Sequence, residues 1–269
     1  MTTVPTGDGR CVPVLIGTSG WQYQDWRGPF YPPDLPQARW LEYYAERFRT
    51  QEVNNAFYRL PEATTFAGWA ARTPEDFVMV VKASRFLTHI KRLKDPEEPV
   101  ARFVERASHL GEKLGPVLLQ LPPSLHCDLE RLDRALSRFP VDWRMAVEFR
   151  HDSWFTDETR AVLEGRGAAF CLADSPRRHT PVWRTTDWGY LRLHEGTGSP
   201  HPCYAPAALD RWGARLAELH GPDAEVFVFF NNDPKGCAVR DAVRFADACR
   251  AHGLEPTRVP DRGAVSISR

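Results

Sequence analysis

Two charged residues stand two positions apart at the end of one apolar run, Met145-Ala-Val-Glu-Phe-Arg-His-Asp-Ser-Trp154. In an extended strand alternate side chains face opposite sides, so Ala146, Glu148 and Arg150 share one side and Val147 and Phe149 the other. A carboxylate turned into a fold must find partners or lift its free energy by several kcal/mol. Glu148 therefore suits a general acid/base and Arg150 a clamp for a carboxylate or phosphate. A structural ion pair of Glu148 with Lys82 or Arg192 is the competing role.

The same punctuation recurs along the chain. Other apolar runs end in Glu52 and Asn54, Lys82, Gln120, Arg192 and His194, and Asn231 and Asn232. Lys82, Arg150 and Arg192, with the basic loop Ser84 to Lys94, would make a locally positive mouth suited to a phosphate or carboxylate. His194 is the histidine best placed to assist Glu148. Glu52, Asn54, Gln120, Asn231 and Asn232 would orient the rest of a ligand. Trp21 and Tyr58 follow strand ends closely enough to touch it, while Trp26, Phe30 and Trp154 read as rim packing. Glu52, Glu148, Asp174, His194 and Asp233 also hold oxygen and nitrogen donors for a divalent metal. Three cations in the same mouth would repel such an ion, so no metal or other cofactor is assigned and a divalent metal stands only as the alternative.

These residues need elements that bring strand ends together. Eight short apolar runs read as strands: Val12 to Thr18, Thr50 to Asn54, Phe77 to Val81, Val117 to Leu121, Arg144 to Phe149, Ala168 to Ala173, Trp188 to Leu193 and Glu225 to Phe230. Between most of them lie helical stripes, such as Val100, Phe103, Val104, Ala107, Leu110 and Leu114. The stretch Ser175 to Asp187 has no such stripe, so the helix after strand six is expected to be short or missing. The alternation predicts an α/β fold of the TIM-like (β/α)8 barrel type, one domain over 1–269, with a disordered or extended N-terminus over 1–11 and an irregular tail over 254–269. In such a barrel every strand C-terminus opens on one mouth.

Lys plus Arg equals Asp plus Glu at 35 each, so no bulk field gathers nucleic acid or an anionic membrane. No signal-like N-terminus or long apolar span is present, which leads to the expectation of a soluble cytoplasmic protein. Cys11, Cys127, Cys171, Cys203, Cys237 and Cys249 form no Cys-x-x-Cys or zinc spacing and read as isolated thiols.

The motifs also occur in a specific combination. Gly17-Thr-Ser-Gly-Trp21, Trp26-Arg-Gly28, Phe30-Tyr-Pro32, Glu52-Val-Asn54, Phe57-Tyr-Arg-Leu-Pro61, Lys82 with Thr88-His89, Leu119-Gln-Leu-Pro-Pro123, Val147-Glu-Phe-Arg-His151 with Trp154, Arg192-Leu-His194 and Phe230-Asn-Asn-Asp233 resemble the domain-of-unknown-function 72 family, also called YecE-like. The resemblance runs from about Leu15 to about Phe245 and implies a TIM-barrel-like fold. It carries no assigned reaction. Ala56 stands where the family usually has Thr, and Asp241 where it usually has Asn. The expected function is an acid/base enzyme acting on a small anionic substrate at the strand ends. A metal-dependent hydrolase or isomerase is the enzymatic alternative, and a non-catalytic ligand-binding protein the alternative from another class. Nothing in the sequence sets the oligomeric state.

Overall fold

The computed structural model describes residues 13–176, 178–221 and 223–266. Its strands and helices alternate in chain order: β1 (Pro13–Thr18), α1 (Trp40–Arg47), β2 (Thr50–Val53), α2 (Asn55–Tyr58), α3 (Ala63–Ala71), β3 (Val78–Lys82), α4 (Glu97–Ala107) and β4 (Leu114–Gln120). There follow α5 (Leu129–Leu136), β5 (Met145–Glu148), α6 (Asp157–Gly165), β6 (Ala168–Ser175), β7 (Arg178–His179) and β8 (Gly189–Leu193). The chain ends with α7 (Pro206–His220), β9 (Val226–Phe230), α8 (Cys237–Ala251) and β10 (Glu255–Pro256). The strands form one curled sheet in the order β10-β1-β9-β8-β6-β5-β4-β3-β2, all parallel. Strand β7 pairs back on β6 antiparallel.

The expected closed barrel is met only in part. Strands β1 and β2, which would have to pair to close the curl, share no full pairing. They meet at one parallel bridge, Ser19 to Glu52, with the Gly20 N–H donating to the Glu52 carbonyl at 2.9 Å. The reason lies in the side chains at the seam. The Tyr44 hydroxyl occupies the place of ladder bonds, accepting from the Thr18 N–H at 2.9 Å and donating to the Thr50 carbonyl at 3.3 Å. Gly17 permits this approach, because a Cβ there would stand within 2.4 Å of the Thr50 oxygen.

Strand alternation sorts the core into two layers. Outward residues such as Ile16, Val81, Leu119, Val147, Phe149, Leu191 and Val228 pack against the helices. Inward residues Leu15, Val80, Leu118, Ala146, Ala169, Cys171, Tyr190, Phe227 and Phe229 fill the inside of the curl. Ala146 facing in while Val147 and Phe149 face out is the partition expected from the sequence. The next inward positions toward the strand C-termini are Glu52, Lys82, Gln120, Glu148 and Arg192, so a polar layer caps the apolar one. Hydrophobic burial inside the curl sets the strand register and thereby forces these polar groups to face each other.

No helix lies between β6 and β8 among the described residues; β7 stands there instead. The stripe Val100 to Leu114 is broken: α4 stops at Ala107, and Gly111 (φ 57°) turns the chain so that Leu114 opens β4. Helix α2, a single turn, has no counterpart in the sequence reading. The expectation for 1–11 lies outside the described residues. Among the described residues the tail contributes the two-residue β10 beside β1 and one 3-10 turn, Arg262–Ala264. Cys203 and Cys237, expected as free thiols, are joined, with Cα atoms 5.0 Å apart; Cys127, Cys171 and Cys249 are free. Folding alone makes this pair, for the two stand 34 positions apart and belong to no motif. No described helix is long and apolar enough to cross a membrane.

Candidate functional site

Arg192 is the hub of the polar layer. It is 1% exposed, and it bridges two fully buried carboxylates. Its Nη2 lies 2.7 Å from Glu52 Oε1 and its Nη1 2.6 Å from Glu148 Oε2. Tyr190, two residues earlier and on the same inward face, donates to Glu52 Oε2 at 2.6 Å. Glu148 receives three more groups. Gln120, its register partner on β4, donates to Oε2 at 3.0 Å, while Arg150 Nε and His194 Nε2 lie 2.8 and 3.2 Å from Oε1. Burial alone would keep Glu148 protonated, but Arg192, His194 and Arg150 outweigh it and hold the carboxyl well below the usual range. Burial likewise opposes the charge of Arg192, and Glu52 and Glu148 overcome it.

The network also assigns the His194 tautomer. A carboxylate accepts only, so Nε2 carries the proton toward Glu148. Nδ1, 3.1 Å from Asn231 Nδ2, then accepts from that amide. Burial lowers the basicity of His194, and the Glu148 carboxylate opposes that shift. Among the described residues no three His, Cys, Asp or Glu side chains form a group that could hold a metal ion. Glu52 and Glu148, the central carboxylates of the alternative metal-ligand set, are taken up by Arg192.

Above this layer opens a cavity of about 710 Å³. Lys82, Gln120, Arg150 and Arg192 reach it from the strand ends, and Trp21, Asn54, Tyr58 and Asn231 from the following loops. Arg85 and His89 on the turn after β3, and Tyr23 and Asp233 on facing loops, complete the polar lining. Lys82 is 7% exposed and its Nζ sits 4.0 Å above the Phe57 ring, supplied by α2. Burial, reinforced by Arg192, lowers its ammonium to about 7. Burial raises Asp233 to about 7, a shift that the nearby Tyr23 hydroxyl and Arg192 oppose. His89 is pushed down to about 4, first by burial and then by Lys82 and Arg150. Among the described residues, three buried atoms of lining residues, Arg192 Nε, Asn54 Oδ1 and Asp233 Oδ1, have no hydrogen-bond partner. Buried polar atoms without protein partners call for one from outside the chain.

Eight of the residues singled out in the sequence thus line the cavity: Trp21, Asn54, Tyr58, Lys82, Gln120, Arg150, Arg192 and Asn231. Glu52, Glu148 and His194 lie behind its surface and hold the lining in place. Asn232 turns away from the mouth, donating to the Pro202 carbonyl at 2.9 Å and to Asp241 Oδ2 at 2.8 Å. The reason is alternation: Asn231 follows β9 facing in, so its neighbour faces α8. Asp241, where Asn is usual, accepts also from the Tyr204 N–H at 2.6 Å and ties α8 to the loop that ends in Tyr204. Ala56 is fully buried in α2 and lies outside the cavity lining. Nothing in the sequence marks Tyr23 as a site residue, and Asp233 enters there as a possible metal ligand and as the last residue of the Phe230-Asn-Asn-Asp233 motif. Its signal was its place two residues after Asn231 at a strand end.

The chain matches the family model described as a protein of unknown function, DUF72, over residues 15–263. It is 29% identical to the UPF0759 protein YunF of Bacillus subtilis over 258 residues, covering 84% of this chain and 90% of that protein. Over 145 residues it is 30% identical to the UPF0759 protein YecE of Escherichia coli K12, covering 52% of this chain and 53% of YecE. Among solved structures, a DUF72 family protein from Thermotoga maritima superposes with a TM-score of 0.78 at 32% identity, covering 88% of this chain and 99% of that one. A DUF72 family protein from Enterococcus faecalis, 19% identical, shares the fold with a TM-score of 0.76 over 88% of this chain and 95% of its own. The motifs that carry the resemblance are those that build the polar layer and its mouth, and the chain belongs to the DUF72 family.

Proposed function

We propose that this protein is an enzyme that binds a small phosphate- or carboxylate-bearing substrate in the cavity and works on it by proton transfer. In this reading the curled sheet is a TIM-like barrel, one unit over 1–269, with the site at its strand C-termini. The observation that carries the proposal is the make-up of the lining: Lys82, Arg85, Arg150 and Arg192 face one cavity that contains a single carboxylate, Asp233. Such a surface favours an anion, and Arg150, of which only Nε is engaged among the described residues, can present its terminal nitrogens to one.

The roles differ from those read in the sequence. Glu148 accepts from four side chains and is held ionised, so it serves as an anchor that orients Arg150, Arg192 and His194. Proton transfer falls instead to Lys82 and Asp233, an amine and a carboxyl brought from opposite ends of the scale to about 7. Inorganic phosphate, glyoxylate and neutral glycerol, added separately in thermal unfolding, test the binding. The two anions should raise Tm and glycerol should not at equal concentration. Arg150→Ala should weaken each anion by about tenfold or more. Equal anion affinity in parent and variant would overturn the anion reading. Once a substrate is found, turnover lost in Asp233→Asn with binding kept favours the enzyme over a binding protein.

A further inference from the structure

We propose that Lys82 is a covalent catalyst, and that the substrate class of this site is an aldehyde or ketone bearing an anionic group, captured as an imine on Nζ. The proposal rests on the anion-pocket reading and adds the reacting atom to it. Its grounds are geometric. Lys82 ends β3 facing inward, is almost fully buried, and still lines the cavity. Its Nζ lies over the face of Phe57, and among the described residues it makes no ion pair or hydrogen bond, although Glu52 and Glu148 are in the same polar layer. Arg192 has taken both carboxylates. A lysine that merely balanced charge would be expected to compete for them.

An apolar wall and a neighbouring guanidinium are the surroundings that keep an amine unprotonated and therefore nucleophilic near neutrality. The lowered basicity of Lys82, to about 7, agrees with them. Arg150 and Arg85, on the cavity wall, would hold the anionic group of the substrate. Asp233, raised to about 7, is the acid available in the same lining.

The step balances with these groups alone. The Nζ lone pair forms a C–N bond to the carbonyl carbon, and the C=O π pair moves to oxygen. One proton passes from nitrogen to that oxygen and a second comes from the Asp233 carboxyl. The C–O bond breaks and water leaves. The products are a protonated imine on Lys82, an Asp233 carboxylate and one water, and the imine then acts as the electron sink for proton removal or bond cleavage at the adjacent carbon.

The chain has five lysines, Lys82, Lys91, Lys94, Lys113 and Lys235, so four serve as internal references. The full protein is incubated at pH 7 with glyoxylate or with neutral acetaldehyde, each with cyanoborohydride, and adducts are mapped by peptide mass spectrometry. Glyoxylate should modify Lys82 at least about tenfold faster than Lys91 or Lys94, given the larger free-amine fraction of a depressed lysine. Arg150→Ala should slow glyoxylate labelling of Lys82 more than acetaldehyde labelling, since Arg150 would hold the anion as well as help to depress the amine. Lys82 reacting no faster than Lys91 and Lys94 with either aldehyde overturns the proposal. Selective Lys82 labelling that is equal for both aldehydes and indifferent to Arg150→Ala supports the nucleophile and overturns the anion reading. The measurement uses the parent protein, so no folding defect in a Lys82 variant can obscure it.

Discussion

Removing Arg192 tests whether the polar layer holds the fold together. Arg192→Met keeps the stem and deletes the guanidinium that joins Glu52 to Glu148 inside the curl. Breaking one buried ion pair costs about 3–5 kcal/mol, because a charge is left in a dry site. Here one arginine serves two carboxylates, but Glu52 keeps Tyr190 and Glu148 keeps Gln120, Arg150 and His194, so the same range of about 3–5 kcal/mol is expected rather than its double. At about 2–4 °C per kcal/mol for chains near this size, Tm should fall by roughly 6–20 °C. Urea unfolding at pH 7 should show the loss with m unchanged.

Two further readouts separate this cause from simple loss of packing. Adding Glu52→Gln to Arg192→Met should stabilise the variant, since it removes an orphaned charge, whereas Glu52→Gln alone should destabilise the parent. The pH dependence has a sign of its own. In the parent, Glu148 is held below its ordinary value, so its contribution is present above about pH 4.5 and is lost as pH falls below that. In Arg192→Met the Glu148 carboxyl loses its strongest support and titrates higher, so the variant should recover stability as pH falls from 7, and the gap to the parent should narrow. A loss under about 1 kcal/mol, or Glu52→Gln acting with the same sign in both backgrounds, would refute the reasoning.

Lys82→Met should be more stable than the parent below pH 7, by an amount on the order of 5 kcal/mol, since each pH unit of depression corresponds to about 1.36 kcal/mol. The folded value is depressed, so between about 7 and 10.5 the unfolded chain binds the extra proton; parent stability rises over that window and the two curves converge, and parallel curves would contradict a buried, uncompensated amine. Gly17→Ala should cost about 1–3 kcal/mol by chemical denaturation, because the new methyl meets the Thr50 carbonyl where β1 and β2 approach. Replacing Cys203 and Cys237 together by Ser should remove up to about 4 kcal/mol, the loop-closure value for such a separation, and reductant should destabilise the parent but not the double variant. Asp241→Asn should keep the Asn232 side chain anchored through its oxygen, but weaken the Arg240 contact at 2.8 Å, with a loss under about 1 kcal/mol in thermal unfolding.

Much of the architecture was legible because it rests on periodicity. Runs such as Val147 to Phe149 and Val226 to Phe230 alternate or stay apolar over strand lengths, and the stripes between them repeat at helical spacing. The missing helix after β6 was legible for the same reason, since Ser175 to Asp187 offers no stripe to bury. The meeting of Glu52, Lys82, Gln120, Glu148 and Arg192 followed from reading each run to its end, because parallel strands carry their C-termini to one side.

What the tertiary structure decided was who partners whom. Nothing in spacing tells Arg192 to bridge Glu52 and Glu148 and so leave Lys82 with no carboxylate partner among the described residues; that choice depends on strand register and on the reach of a guanidinium across the inside of the curl. It surrounds Glu148 with four donors and buries Asp233 on a loop facing the same cavity. The seam between β1 and β2 was likewise invisible in sequence, for it turns on one hydroxyl, Tyr44, taking the place of ladder bonds. Periodicity is a local property and survives in the sequence. Charge pairing and desolvation arise between residues far apart in the chain, and only the packed fold sets them.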